Sequence, residues 1–204
     1  MVNQTQQAAT GMLHVLAAGG TSSGAILSAL RGASSLASPR AQAVWPLMLG
    51  RMPAALLSRT GEPTRSEVAI FTALRLYALA QQGRTTGGYV PVARGSQTAE
   101  TEAAPSGVTL FTALRKAKGT LPSAEALDRR VQAVLGATSF AAVQDGLTHL
   151  VTILKATKAM PAIDYAQLAG DLASFQISFE QASRVRLRWG QDYYHTSETI
   201  KGAN

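Results

Sequence analysis

The sequence contains no cysteine, so a disulfide framework, a thiolate metal site and thiol redox chemistry are all excluded. That absence fits a reducing cytoplasm. Aromatic residues make up only 6% of the chain and β-branched residues seldom cluster, whereas Ala and Leu abound, a balance that favours helices over sheets. No apolar run approaches the roughly eighteen residues of a membrane span. The opening stretch MVNQTQQAATGMLHVLAAGG lacks the positively charged start of a secretion signal. The expectation is a soluble cytoplasmic protein with no membrane partner.

Histidine is equally sparse. His14, His149 and His195 lie far apart without metal-ligand spacing, and neither a glycine-rich phosphate loop nor a nucleophile elbow occurs. Asp164, Asp171 and Glu180 are better explained as caps and exposed helix faces than as a metal cluster. His149, between Leu147 and Leu150, reads as the edge of a bundle face rather than a general base. No catalytic residue, metal or cofactor is expected.

Acidic residues are the other scarcity. The chain has 19 Lys and Arg against 12 Asp and Glu, a net charge of +7, and the imbalance is uneven. From Met1 to Thr120 there are eleven basic and four acidic residues, and from Leu121 to Asn204 eight of each. A basic surface attracts nucleic acid by displacing condensed counterions and needs no sequence-reading motif. On composition alone, a merely basic soluble protein is an equally good reading.

What the sequence has in quantity is helical periodicity. Ala8 to Ala18 and Thr21 to Arg31 read as short helices punctuated by Gly19 and Gly20. Pro39, Pro46 and Pro53 keep the following region in short pieces. Thr64 and Glu67 form a capping-box pattern ahead of the apolar face Ile70, Phe71, Leu74, Tyr77 and Ala78, with Gly83 as the stop. A further short helix spans Gly107 to Lys118. Ser123 and Ser139 cap two more, with Leu127, Val131 and Val134 on the first face and Phe140, Val143, Leu147, Leu150, Val151 and Leu154 on the second. Asp164 with Gln167 forms a capping-box pattern that opens another helix, carrying Tyr165, Leu168, Leu172 and Phe175, and Glu180 begins the last one. The run from Arg184 to Trp189 alternates like a strand, but Ala182, Val185, Trp189 and Tyr193 fit a helical face and the helix is preferred. Short connections at 136–138 and 159–163 make neighbouring helices antiparallel, and the tail from His195 is expected to fray.

Between Gly83 and Gly107 the periodicity stops. Structureless stretches of that length are usually functional or disordered. The expected architecture is therefore an all-α helical bundle without a sheet, with an N-terminal half at 1–82, a linking loop at 83–107 and a C-terminal bundle at 108–204. One shared core and two separate ones are both compatible with the pattern.

The candidate phosphate-binding residues follow from this layout. Arg84 and Arg94 matter if the loop binds. Arg115, Lys116 and Lys118 end a helix, where cations also complement the macrodipole. Arg184 and Arg188 lie one turn apart on one side of their helix and Arg186 points elsewhere, with ion pairing to Glu180, Asp192 or neighbouring helices as the competing explanation. Arg65, Arg129, Arg130 and Lys155 complete the set.

The order Asp164-Tyr165-Ala166-x-Leu168-Ala169-x-Asp171-Leu172 followed by Arg184-Val185-Arg186-Leu187-Arg188-Trp189-Gly190-x-Asp192-Tyr193-Tyr194 resembles the C-terminal end of the CasB family, the small subunit of the type I-E CRISPR surveillance complex Cascade. Ser38-Pro39 through Trp45-Pro46-Leu47, Leu76-Tyr77-Ala78-Leu79-x-Gln81-Gln82-Gly83, Gly107-x-x-Leu110-x-x-Ala113-Leu114-Arg115-Lys116 and Arg129-Arg130 stand in that family's order. Phe111 is a departure, since CasB-like sequences usually carry glycine there. Thr148 and His149 replace a stretch richer in arginine.

The resemblance implies a non-catalytic subunit present in two copies beside the large subunit and the backbone subunits. Such a subunit supports guide RNA and target DNA, including the displaced strand, while base pairing supplies sequence specificity. The alternative is a free-standing helical DNA-binding regulator, whose expected helix-turn-helix is not found.

Overall fold

A computed structural model describes residues 3–84, 88–92, 106–157 and 160–195. Among these residues there are nine α-helices and no strand: α1 (Gln4–Ala18), α2 (Ser23–Gly32), α3 (Trp45–Leu49), α4 (Arg65–Gln81), α5 (Leu110–Ala117), α6 (Ala124–Gly136), α7 (Phe140–Ala156), α8 (Tyr165–Phe175) and α9 (Phe179–Tyr194). The residues Pro39–Val44, Ala54–Leu56 and Lys118–Thr120 form 3-10 turns. The protein is all-helical, as the composition predicts.

Local side chains set most of the helix starts. The Thr64 hydroxyl accepts from Glu67 N at 3.1 Å while Glu67 Oε2 accepts from Thr64 N at 2.6 Å, completing the expected capping box at α4. Ser123 and Ser139 cap α6 and α7 through the amides of Ala126 and Ala142. Gly83, at φ +79°, turns the chain away after α4 in a conformation that costs other residues strain. Four expectations shift. Asn3 caps α1, so that helix begins before Ala8. Thr109 caps α5, whose end continues through Gly119 into a 3-10 turn. Ser178, rather than Glu180, caps α9. Asp164 makes only half a box: its Oδ1 accepts from Gln167 N, but its own N–H donates to the Val108 carbonyl at 2.9 Å.

That last bond belongs to a small backbone junction. Tyr89 and Val108 each form an isolated parallel bridge to Ile163. Ile163 N donates to Gly88 O, Val108 N to Ala162 O, Gly107 N to Pro91 O at 3.1 Å, and Val92 N to Asp164 Oδ2 at 2.9 Å. The stretch read as periodicity-free thus has its two ends, 88–92 and 106–108, bonded together beside the entry to α8. Residues 93–105, with Arg94, and the tail beyond His195 lie outside the described residues.

Helix α8 is the hub. It packs on α1, α4 and α9, which is why nine of its residues, from Tyr165 to Phe175, are buried. Helix α7 lies against α4 and α6, α5 against α9, and α2 with the first 3-10 turn against α4 and α3. Buried side chains from residues 8 to 193 form one contiguous cluster. Within it Trp189 lies between Phe111 (centroids 5.0 Å apart) and Phe175 (6.3 Å), with the Arg186 guanidinium 4.8 Å over the outer ring. Phe111 therefore fills core between α5 and α9, and its departure from the CasB-like glycine changes packing rather than surface.

Candidate nucleic-acid interface

The basic residues divide by what their charged ends touch. Two are neutralised by acids. Lys118 Nζ lies 2.8 Å from Asp128 Oδ2, and Tyr193 donates to the other carboxylate oxygen at 2.7 Å. The Lys118 bond, followed by that of Tyr193, holds the Asp128 carboxyl below its ordinary range. Arg188 Nη2 lies 2.7 Å from Asp171 Oδ1, and the Trp189 indole N–H donates to Oδ2 at 2.9 Å. Asp171 is only 7% exposed. Burial outweighs both partners and pushes its carboxyl up to about 6.

A second group is tethered to neutral atoms, which fixes the side chain without cancelling its charge. Arg115 donates to the His195 carbonyl, Arg130 to Ala126 O within its own helix, and Lys155 to Gln82 Oε1. Arg186 reaches Ala137 O at 2.6 Å and Arg84 reaches Met160 O at 2.9 Å. Arg75 joins Ala33 O to the Thr148 hydroxyl, linking α4 to the end of α2 and to α7.

The third group is free. Among the described residues, the side chains of Arg31, Arg40, Arg51, Arg59, Arg65, Lys116, Arg129 and Arg184 make no ion pair or hydrogen bond. Five of these lie between residues 31 and 65, where the only acid is Glu62. Glu67, next in sequence, is buried and committed to the α4 cap.

The sequence-predicted set is thus divided by what its members touch. Lys116, Arg129, Arg184 and Arg65 are unencumbered, whereas Lys118 and Arg188 are held by acids from other helices. The alternative explanation offered for Arg184, Arg186 and Arg188 applies to Arg188 alone, through Asp171 of α8; Glu180 and Asp192 form no ion pair among the described residues. Arg31, Arg40, Arg51 and Arg59 are the residues a motif-based reading passes over. The signal for them is the charge excess of the first three-fifths of the chain.

Other chemistry is little supported. No group of three or more His, Asp or Glu residues able to hold a metal occurs among the described residues: Asp164 caps α8, Asp171 pairs with Arg188 and Glu180 stands in the first turn of α9. His149 is exposed on α7. No single helix among the described residues is long and apolar enough to cross a membrane.

Fold and surface together define an all-helical protein whose exposed chemistry is cationic. The family model for CRISPR-associated protein Cse2, which is the CasB family, matches residues 27–194, and the chain belongs to that family. Membership makes it a small structural subunit of Cascade, an assembly with other Cas subunits that serves CRISPR defence. The fold is also that of the crystal structure of CasB from Thermobifida fusca, with a TM-score of 0.69, 24% sequence identity, and coverage of 96% of this chain and 100% of that one. No curated protein matches the sequence significantly.

Proposed function

We propose that this Cascade subunit is non-catalytic and holds nucleic acid through its uncompensated cations, without choosing sequence. It works in the cytoplasm, beside the large subunit, the backbone subunits and a second copy of itself. There it steadies guide RNA paired with target DNA and retains the displaced strand. The observation that carries this reading is the eight cationic side chains without an ion pair or hydrogen bond among the described residues, five of them within residues 31–65. Cations that the fold leaves uncommitted are available to phosphates, whereas Lys118 and Arg188 must first give up Asp128 and Asp171. Guide pairing selects the bases, so a surface that grips backbone alone is sufficient.

The test is reconstitution of the complex with charge-reversed subunits. Glutamates at Arg40, Arg51 and Arg59, or at Lys116 and Arg129, should reduce protection of the displaced strand without altering which target is chosen. In the isolated chain each lost phosphate contact should lower the salt slope of binding by about one. Wild-type protection from both sets, in subunits that fold and join the complex, would overturn the proposal.

A further inference from the structure

A cleft of 330 Å3 opens on the N-terminal side of α4, its apolar wall formed by Leu36, Trp45, Leu49 and Pro63. Three of its polar side chains are engaged within the fold. Glu67 accepts from the amides of Ser58 and Thr64, the Ser58 hydroxyl accepts from those of Thr60 and Gly61, and the Trp45 indole N–H donates to the Leu36 carbonyl at 3.3 Å. The last bond pins an aromatic side chain that remains 37% exposed. Leu49 is 41% exposed beside it.

The rim is cationic. Arg51 lies two residues beyond Leu49, Arg59 follows Ser58, and Arg65 lies two residues beyond Pro63. Adjacency in the chain brings their Cα atoms within about 8 Å of the lining. All three are exposed and without an ion pair or hydrogen bond among the described residues, against one nearby acid in the chain, Glu62. A polyanion is the complement of that rim. A flat ring that stacks its face on Trp45 and leaves its polar edge to solvent is the complement of the cleft.

From this juxtaposition we infer that the cleft receives one unstacked nucleobase of a single strand, stacked on Trp45, while Arg51, Arg59 and Arg65 hold the flanking phosphates. The inference rests on the nucleic-acid-binding reading above and gives it a specific seat. Because the wall is apolar and the Trp45, Ser58 and Glu67 polar groups are engaged within the fold, stacking rather than base-edge recognition holds the base, as in sequence-tolerant single-strand binders.

The experiment compares a short oligothymidine with an abasic strand of equal length and charge, using the whole isolated chain at low salt. Trp45 is the accessible fluorophore and Trp189, 2% exposed, is the silent reference. Oligothymidine should quench the intrinsic fluorescence and shield it from acrylamide, and the abasic strand should do neither. This readout needs no variant. Trp45→Leu, which keeps apolar bulk in the wall, should lower affinity for oligothymidine about ten-fold, the scale of one lost stacked base, and leave the abasic strand unaffected.

Equal binding of the two strands by the wild type, with no quenching, overturns the base site and leaves the basic surface standing. Failure to bind either strand overturns the basic-surface reading as well. A Trp45→Leu chain that binds oligothymidine normally but no longer joins the reconstituted complex assigns the cleft to a partner polypeptide and overturns the proposal.

Discussion

The buried Asp171 carboxylate makes a prediction whose sign runs against intuition about ion pairs. Its bonds to Arg188 and Trp189 favour the charged form, yet burial dominates and its folded value lies near 6, against about 3.9 for an unperturbed aspartate. The folded state therefore holds a proton more tightly than the unfolded state between those limits. Stability from this group increases as pH falls through 6 towards 4 and is constant above about 7. With about 1.4 kcal/mol per unit, ionised Asp171 costs the fold about 3 kcal/mol at neutral pH. About 2 kcal/mol of that is recovered between roughly pH 7.5 and pH 4.5.

Other carboxylates oppose the trend, Asp128 among them, since a depressed value yields stability that is lost on acidification. The measurement must therefore be a difference. Urea unfolding of the wild type and Asp171→Asn, whose amide stays neutral, should give a gap that moves by about 2 kcal/mol in the wild type's favour on going from about pH 7.5 to about pH 4.5. A gap independent of pH would show that Arg188 and Trp189 compensate burial fully. A gap moving the other way would show that they overcompensate it, and either result refutes the argument.

Trp189→Phe keeps the aromatic column between Phe111 and Phe175 but removes the indole donor to Asp171. It should cost about 1–3 kcal/mol at neutral pH, and less in acid, by thermal or urea unfolding; equal losses at both pH values would contradict the assigned bond. Gly107→Ala would drive a Cβ into the Val90 carbonyl. It should lose about 1–3 kcal/mol and speed exchange of the Val108 amide with helix α4 unaffected, whereas uniform loosening would argue against a local junction.

Much of the helical plan is legible in the sequence because its signals are short-range. A Thr64 and a Glu67, or a Ser139 ahead of an apolar stripe, carry both halves of the interaction within one turn of chain. Thr109 escapes notice because glycine and valine precede it and no capping-box partner follows. The bridges at Tyr89, Val108 and Ile163 escape for a different reason, since each joins backbone far apart in sequence and leaves no side-chain pattern.

The candidate interface divides along the same line. The excess of positive charge can be counted from the sequence, but whether a given cation is free depends on its neighbours in space. Lys118 meets Asp128 on α6 and Arg188 meets Asp171 on α8, and nothing within one helix announces either meeting. Conversely, Arg31, Arg40, Arg51 and Arg59 stand singly among prolines and short turns. Their shortage of countercharge can be counted in the sequence, where Glu62 is the one acid between residues 31 and 65, but that their side chains stay unpaired among the described residues depends on the fold.

The bond from Gly107 N to the Pro91 carbonyl has a consequence for how this subunit can vary. It brings together the two ends of the stretch 93–105, so residues added between them enlarge a circuit already closed at its base. The entropic penalty of such growth is slight, about 0.6 kcal/mol for each doubling of length. Homologues are thus at liberty to lengthen or shorten the chain here with the α1, α4 and α8 packing intact, and an inserted reporter domain would leave that body standing.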